Sequence, residues 1–220
     1  MNYSASSDIT QKYQSLSRGS FVLTPGTEFN QKAFIENNRK YSESLKKPLL
    51  QDYHVDNASA RGLCSAAVLQ WLSTGSIPPS TENMVIKLSQ VQGSAEVDNE
   101  RDFLTWCSNV SDQFKNLKKV KNSNNLDLNN TQTLINYLLD NTGQINTKFK
   151  LFLILVFKNG TSHAVGLNLE TKSFFDPNSG VLKIHSTSDA ATNITYSIFG
   201  LELIRTQYPD VVAVTAITYL

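Results

Sequence analysis

Three residues of types that serve nucleophilic catalysis occur along the chain in the order Cys64, His163, Asp176. A cysteine attacks a carbonyl as the thiolate, so it needs a base to take its proton and a local positive potential to stabilise the charge. A histidine supplies that base, and a carboxylate bonded to one ring nitrogen holds the histidine in one tautomer. The three residue types therefore suit a triad with Cys64 as nucleophile, His163 as base and Asp176 as the orienting residue.

Each of the three residues also has an ordinary structural explanation when it is judged alone. A cysteine in an alanine-rich helix is usually a core residue, and a histidine at a strand edge is usually a hydrogen-bonded structural residue. Asp176 precedes a proline, and the sequence DPNSG suits a turn. The catalytic interpretation thus depends on elements that bring the three side chains together.

The segment around Cys64 predicts a buried helix. Gly75 is a suitable C-cap, and no proline interrupts the segment before Pro78. A helix that begins at Cys64 puts the thiol beside the unpaired amides of the first turn, which lower the pKa of a thiol. The apolar residues at near-helical spacing are Leu63, Ala66, Ala67, Leu69 and Leu72.

The second half of the chain has the pattern of strands. Residues 150–158, KLFLILVFK, form an uninterrupted apolar run that predicts a strand buried on both faces. Asn-Gly at 159–160 predicts a two-residue hairpin turn into a strand over 163–169. A second two-residue turn at 170–171 leads into residues 172–180, so the segment is predicted to be an antiparallel meander.

This meander predicts the relation between the histidine and the aspartate. With a turn at 170–171, antiparallel pairing joins residues whose numbers sum to 341, so Asp176 faces Val165. His163 then becomes the diagonal neighbour of Asp176 on the same face, about 5–8 Å away. One imidazole nitrogen can bond the carboxylate while the other faces a thiol. His54 and His185 have no such partner and are expected to be structural or solvent-facing.

The order of the elements predicts an α+β class, with helices first and an antiparallel sheet after them. Residues 51–220 are expected to form one domain. The polar residues 1–50 are expected to be an N-terminal extension, partly disordered or a secretion signal, with a cap on the same domain as the alternative. The other predicted elements are helices from 80–82 through 92, over 98–117, 133–141 and 195–207, a surface loop over 120–132 and a final strand over 211–220.

The sequence blocks around the three residues resemble a known family. GLCSAAVLQW with Cys64, SHAVGLNL with His163 and FFDPNSG with Asp176 are similar to the Cys, His and Asp blocks of the YopT/AvrPphB family of bacterial effector cysteine peptidases. The tryptophan after the nucleophile, the small residue after the histidine and the Asp-Pro-Asn turn carry the resemblance. It covers about residues 57–180, with separations between the blocks somewhat shorter than in that family.

The resemblance implies a papain-like fold, in which the helix of the nucleophile packs on a C-terminal antiparallel sheet. It implies a thiol protease that a specialised secretion system delivers from a bacterium into the host cell cytoplasm, where it cleaves a host protein as a virulence factor. Papain-like enzymes place an amide side chain before the cysteine to help bind the oxyanion. Asn57, seven residues before Cys64, is the candidate for that role.

Two other functions suit the same residues. A triad that acts on a glutamine side chain would make the protein a glutamine deamidase or, with an amine in place of water, a transglutaminase. A non-catalytic interaction module would keep Cys64 in its core and use His163 and Asp176 as a structural pair.

Composition excludes several other classes. A net charge of +1 and a pI near 7.7 give no basic surface for nucleic acid. No run of about 18 apolar residues predicts an integral membrane segment, and the polar N-terminus lacks the apolar centre of a classical signal peptide. Cys64 and Cys107 are expected to be free thiols, and the three histidines and two cysteines show no metal-ligand spacing. We therefore expect no metal and no cofactor, and a monomer, although the sequence leaves the oligomeric state open.

Overall fold

The computed structural model describes residues 21–44, 63–95, 100–144, 146–186 and 193–220. Seven antiparallel strands form one sheet, and helices pack on both of its faces. The strands are β1 (Phe21–Pro25), β2 (Lys119–Ser123), β3 (Lys150–Phe157), β4 (Ser162–Asn168), β5 (Ser173–Asp176), β6 (Gly180–Ser186) and β7 (Val211–Tyr219). The helices are α1 (Gln31–Ser44), α2 (Cys64–Thr74), α3 (Glu82–Ala95), α4 (Glu100–Asn109), α5 (Thr131–Leu138) and α6 (Asn193–Gln207), with a 3-10 turn at Val110–Asp112.

The strands lie in the order β1-β6-β5-β4-β3-β7-β2. The hairpins β3–β4, β4–β5 and β5–β6 follow one another along the chain and form the centre of the sheet. Strand β7 returns to pair with β3, so the apolar strand β3 has hydrogen-bonded neighbours on both sides. The predicted α+β class is confirmed by this mixture of helices and antiparallel strands.

Both faces of the sheet are covered. Helices α1 to α4 share one apolar cluster with Phe152 of β3 and Ala164 of β4, and α5 and α6 share another with Leu153 and Val165. Side chains alternate between the faces of a strand, so a strand that is covered on both sides needs apolar residues at nearly every position. The run KLFLILVF meets that need, as the sequence predicts.

Helix α2 begins and ends as the sequence predicts. It starts at Cys64, and Gly75 takes a left-handed conformation with φ of 72°, so that its N–H donates to the carbonyl of Trp71 at 2.8 Å. A residue with a side chain would be strained at that φ, which is why glycine suits the position.

Several predicted boundaries are wrong. The helix expected over 98–117 ends at Asn109, because the chain makes a 3-10 turn there that buries Phe114 and Leu117. The loop expected over 120–132 begins as the edge strand β2, where pairing with β7 outweighs the polar composition.

The two hairpin turns of the meander are longer than predicted. The turn after β3 is not a two-residue hairpin, because Phe157 N–H donates to the carbonyl of Thr161 and Gly160 alone takes the left-handed φ of 79°. The connection from β4 to β5 spans residues 169–172, with Lys172 at a φ of 49°.

Part of the segment assigned to an N-terminal extension belongs to this sheet. Strand β1 pairs with β6, and Leu23, Phe29 and Phe34 are buried. For residues 21–35, these contacts favour the second of the two interpretations, in which the segment caps the same domain. The predicted domain boundary at residue 50 stays a prediction.

Within the described residues, no helix combines the length and the apolar character that crossing a membrane requires.

Candidate active site

Cys64 is the first residue of helix α2, and its thiol points toward the beginning of strand β4. Burial raises the pKa of the Cys64 thiol, but hydrogen bonding and charge from the His163 side chain, together with hydrogen bonding from the backbone of Ala164 and Ser65, lower it overall. Such donors stabilise a thiolate more than a thiol. The predicted nucleophile therefore lies beside the predicted base and among groups that favour its charged form.

A close approach between α2 and the sheet sets this position. A Cβ atom at Gly166 of β4 would lie 3.0 Å from both Trp71 and Val68 of the helix. The Trp71 ring also packs on Phe175 of β5, with 5.3 Å between centroids. Trp71 therefore packs α2 against both β4 and β5.

His163 and Asp176 are joined as the predicted register requires. Gly166 pairs with Phe175, so paired residues of β4 and β5 have numbers that sum to 341. The connection over residues 169–172 is longer than the predicted turn, but both are centred on residues 170 and 171, so paired residue numbers still sum to 341. His163 Nε2 lies 2.9 Å from Asp176 Oδ1. The other ring nitrogen, Nδ1, is left for the Cys64 thiol.

The site lies where the two layers of the protein meet. Alternation along β4 places His163 on the side of Val165, which is the face covered by α6. Cys64 comes from α2 on the opposite face, and the two side chains meet at the beginning of β4. Cys64, His163 and Asp176 are only 6%, 7% and 2% exposed, so water screens their interactions little.

The Asp176 carboxylate accepts hydrogen bonds from four groups. Oδ1 accepts from His163 and from the backbone N–H of Asn178 at 2.9 Å, and Oδ2 accepts from Ser179 Oγ at 3.2 Å and Tyr208 Oη at 2.6 Å. Asp176 thus both starts the turn and orients the histidine, and the two explanations of this residue are compatible. Four donors fix the carboxylate and favour its ionised form.

The electrostatics of the three groups support one another. Burial opposes charge on all three groups. Hydrogen bonding to His163 and the charge of His163 nevertheless lower the pKa of Cys64 and the pKa of Asp176. Against burial, hydrogen bonds to Asp176 and Cys64 raise the pKa of His163 to about 9. This combination favours a thiolate and an imidazolium at neutral pH.

Cys107 provides a contrast. It is a free, fully buried cysteine, and burial raises the pKa of its thiol to about 12. The expectation of two free thiols is confirmed for this structure. The pKa of Cys64 is lowered by the nearby His163, whereas that of Cys107 is raised by burial.

Sequence reasoning missed Tyr208, Ser179 and Gln31. Tyr208 follows α6, and its ring lies 5.6 Å from that of His163. Gln31 begins α1, and its side chain bonds Leu63 N–H and Asn178 Oδ1. The sequence carries no local signal for Tyr208 or Gln31, because both approach from distant parts of the chain. Asn178 and Ser179 belong to the Asp-Pro-Asn turn, so their closeness to Asp176 could have been predicted.

Of the other residues considered in the sequence, the structure describes only His185. Asn57 and His54 lie outside the described residues. His185 lies on β6 and is hydrogen-bonded to Thr24 Oγ1 at 2.9 Å. Among the residues that the structure describes, no group of three or more histidine, cysteine or acidic side chains could hold a metal ion.

No protein-family model and no curated protein matches the chain. A solved structure, described as the crystal structure of the Pseudomonas avirulence protein AvrPphB, is similar to it with a TM-score of 0.46 and 18% sequence identity. The match covers 72% of this chain and 92% of that one. A likeness at this level does not establish a shared family or a shared activity.

Proposed function

We propose that the protein is a cysteine peptidase with a Cys64–His163–Asp176 triad. The observation that most supports it is the 2.9 Å hydrogen bond between His163 Nε2 and the Asp176 carboxylate, which accepts four donors, beside a thiol whose pKa His163 lowers against the effect of burial. A buried structural His–Asp pair alone would not require a thiol with a lowered pKa at the start of a helix.

The first half of the reaction forms a thioester. The Cys64 thiolate attacks the carbonyl carbon of the scissile bond, and the negative charge moves to the carbonyl oxygen. We assign the backbone N–H of Cys64, in the first turn of α2, as one donor to this oxyanion. The His163 imidazolium then gives its proton to the leaving amine as the carbon–nitrogen bond breaks.

The second half regenerates the enzyme. His163, now neutral, takes a proton from a water molecule that attacks the thioester carbonyl. The carbon–sulfur bond breaks, the new carboxylic acid product leaves, and the thiolate and imidazolium are restored. Asp176 keeps its charge throughout and stabilises the imidazolium in both halves.

The biological setting is a further part of this proposal. The sequence blocks around Cys64, His163 and Asp176 resemble those of bacterial effector peptidases, which supports a role as a secreted virulence factor that cleaves a host protein. A papain-like arrangement of α2 against the sheet is proposed on the same basis.

Treatment of a host-cell lysate with the wild type and with Cys64→Ala tests the function. New peptide termini that appear with the wild type alone would support proteolysis. Cys64→Ala should fold, because the side chain that it shortens is small. Intact target masses that rise by about one dalton would instead indicate conversion of glutamine to glutamate by the same triad. Identical peptide and mass profiles for the two proteins would favour a non-catalytic module.

A further inference from the structure

The side chain of Gln31 connects the nucleophile helix to the turn that carries Asp176. Its Oε1 accepts a hydrogen bond of 2.9 Å from the backbone N–H of Leu63, the residue before Cys64. Its Nε2 donates a hydrogen bond of 2.7 Å to Asn178 Oδ1. One amide therefore spans the two structural elements that carry the nucleophile and the orienting carboxylate.

The hydrogen bond to Leu63 fixes the direction of both amides. A backbone N–H can only donate, so the atom of Gln31 that faces it must be the oxygen. The nitrogen of Gln31 then faces Asn178, which must present its own oxygen. The Asn178 nitrogen is thereby turned toward His163 Nε2, at a distance of 3.4 Å.

Backbone contacts hold Gln31 in this place. Its N–H donates to the carbonyl of Pro177 at 2.7 Å, and Asn30 Nδ2 donates to the carbonyl of Asn178 at 3.3 Å. Asn30 also caps α1 by accepting from Ala33 N–H at 3.0 Å. A short stretch before and at the start of α1 is thus docked on the turn after Asp176.

Gly180 shows how closely this stretch approaches the turn. A Cβ atom there would lie 2.6 Å from the carbonyl oxygen of Thr27 and 2.8 Å from the nitrogen of Phe29. Gly26 N–H donates to the carbonyl of Val181, and Val181 N–H donates to the carbonyl of Thr27. At Gly180 the two stretches of backbone lie too close together to admit a side chain.

From this geometry we infer that Gln31 is a positioning residue, which aligns the start of α2 with the His163–Asp176 pair and sets the polarity of the amide that faces His163. The inference rests on the proposed function in that it takes Cys64 as the nucleophile. Gln31 belongs to the N-terminal region, so that region contributes to the site as well as to the sheet.

Two substitutions of Gln31 distinguish a positioning role from a role in packing, because they are expected to shift the pH dependence of Cys64 alkylation in opposite directions. Gln31→Met keeps the length of the side chain and removes both hydrogen bonds, so α2 and the turn lose their connection. Gln31→Glu keeps an acceptor for Leu63 N–H but presents a second oxygen to Asn178. The Asn178 amide must then turn, and its oxygen faces the imidazole, which favours the imidazolium. Exposed Lys32, changed to Met, is the matched control on the same helix.

The measurement is the rate of iodoacetamide alkylation of Cys64 between pH 4 and pH 9, followed by mass spectrometry of the modified peptide. Gln31→Met is expected to move the midpoint of the rise in alkylation rate with pH upward by about half to one pH unit, because α2 loses its alignment with the His163–Asp176 pair and the imidazolium stabilises the thiolate less. Gln31→Glu is expected to move it downward by about half a unit. Asp176 and Tyr208, the other ionisable groups in contact with His163, are unchanged in all variants.

The outcomes are distinct. Profiles of both Gln31 variants that coincide with that of Lys32→Met, or that shift in the same direction, would overturn the positioning role. If Gln31→Met fails to fold, Gln31→Glu decides alone: a downward shift supports the role, and an upward or absent shift contradicts it. A wild-type Cys64 that reacts as slowly as Cys107 would overturn the proposed function first, and the role of Gln31 with it.

Discussion

Tyr208 donates a hydrogen bond of 2.6 Å to Asp176 Oδ2, and its ring lies 5.6 Å from the ring of His163. One side chain from the end of α6 therefore contacts both members of the His–Asp pair. It fixes the carboxylate through the hydroxyl and covers the imidazole with the ring, which limits the access of water to their hydrogen bond.

Tyr208→Phe keeps the ring and removes the donor to Asp176. We expect the free energy of unfolding to fall by about 1.5–3 kcal/mol, since the hydrogen bond involves a charged group. We expect the rate of target cleavage to fall about tenfold, because the less restrained carboxylate orients His163 less well. Chemical unfolding and the rate of appearance of lysate fragments measure the two effects. Tyr196→Phe, within α6 and packed against Phe21, is the control. Equal loss of activity in both variants would contradict the assignment.

Asp176→Asn removes the charge and keeps the shape of the orienting residue. The imidazolium loses its anionic partner, so the pKa of His163 should fall and the cleavage rate should drop by about 10²–10⁴-fold.

The pKa of Asp176 is lowered in the folded protein, so its contribution to stability is present above the unfolded pKa and disappears as the pH falls through the folded one. The stability difference between wild type and Asp176→Asn should therefore shrink in acid. A difference that stays constant with pH would contradict this.

The two cysteines should differ in reactivity at pH 6. The pKa of Cys64 is lowered by His163, whereas burial raises that of Cys107 to about 12. Iodoacetamide should label Cys64 more than tenfold faster than Cys107, because the thiolate is the reactive species. Peptide mass spectrometry gives both rates in one sample. His163→Ala should remove the difference, and equal labelling of the two cysteines in the wild type would favour the non-catalytic module.

Activity should depend on pH through His163. Its pKa is raised to about 9, so the imidazolium that protonates the leaving amine persists through neutral pH and is lost as the pH rises through about 9. The cleavage rate should therefore fall on the alkaline side near that pH. Asp176→Asn should move this fall to lower pH. An unchanged alkaline limb in that variant would show that another group is responsible.

Gly166→Ala should separate α2 from the sheet. The added Cβ would lie 3.0 Å from the side chains of Trp71 and Val68, so these must give way by a few tenths of an ångström, and we expect the shift of α2 to weaken the interaction of Cys64 with His163. We expect a loss of about 1–3 kcal/mol in stability, as for other overpacked cores, together with slower alkylation of Cys64 at pH 6. Gly143→Ala is the control, since that glycine has a φ of 74° and no atom within 4 Å. It should cost stability through backbone strain and leave the reactivity of Cys64 unchanged.

Local patterns made much of the meander and of helix α2 predictable. The numbers of paired residues in β4 and β5 follow from the position of the turn, so the nearness of His163 and Asp176 could be worked out although the turn itself is longer. Two of the wrong predictions, those at β1 and β2, have a common cause. The edge strand β2 and the strand β1 are polar or short, and their pairing with β7 and β6 decides their conformation.

The start of α2 at Cys64 and the register that joins His163 to Asp176 follow from the amino-acid sequence, because they depend on periodicity and on turns between near neighbours. The packing of the folded chain brings Cys64 to His163 from the opposite face of the sheet, and it brings Tyr208 and Gln31 to the same site. Those contacts join residues 32 to 147 positions apart. They arise when the helices pack against both faces at once, which no local pattern encodes.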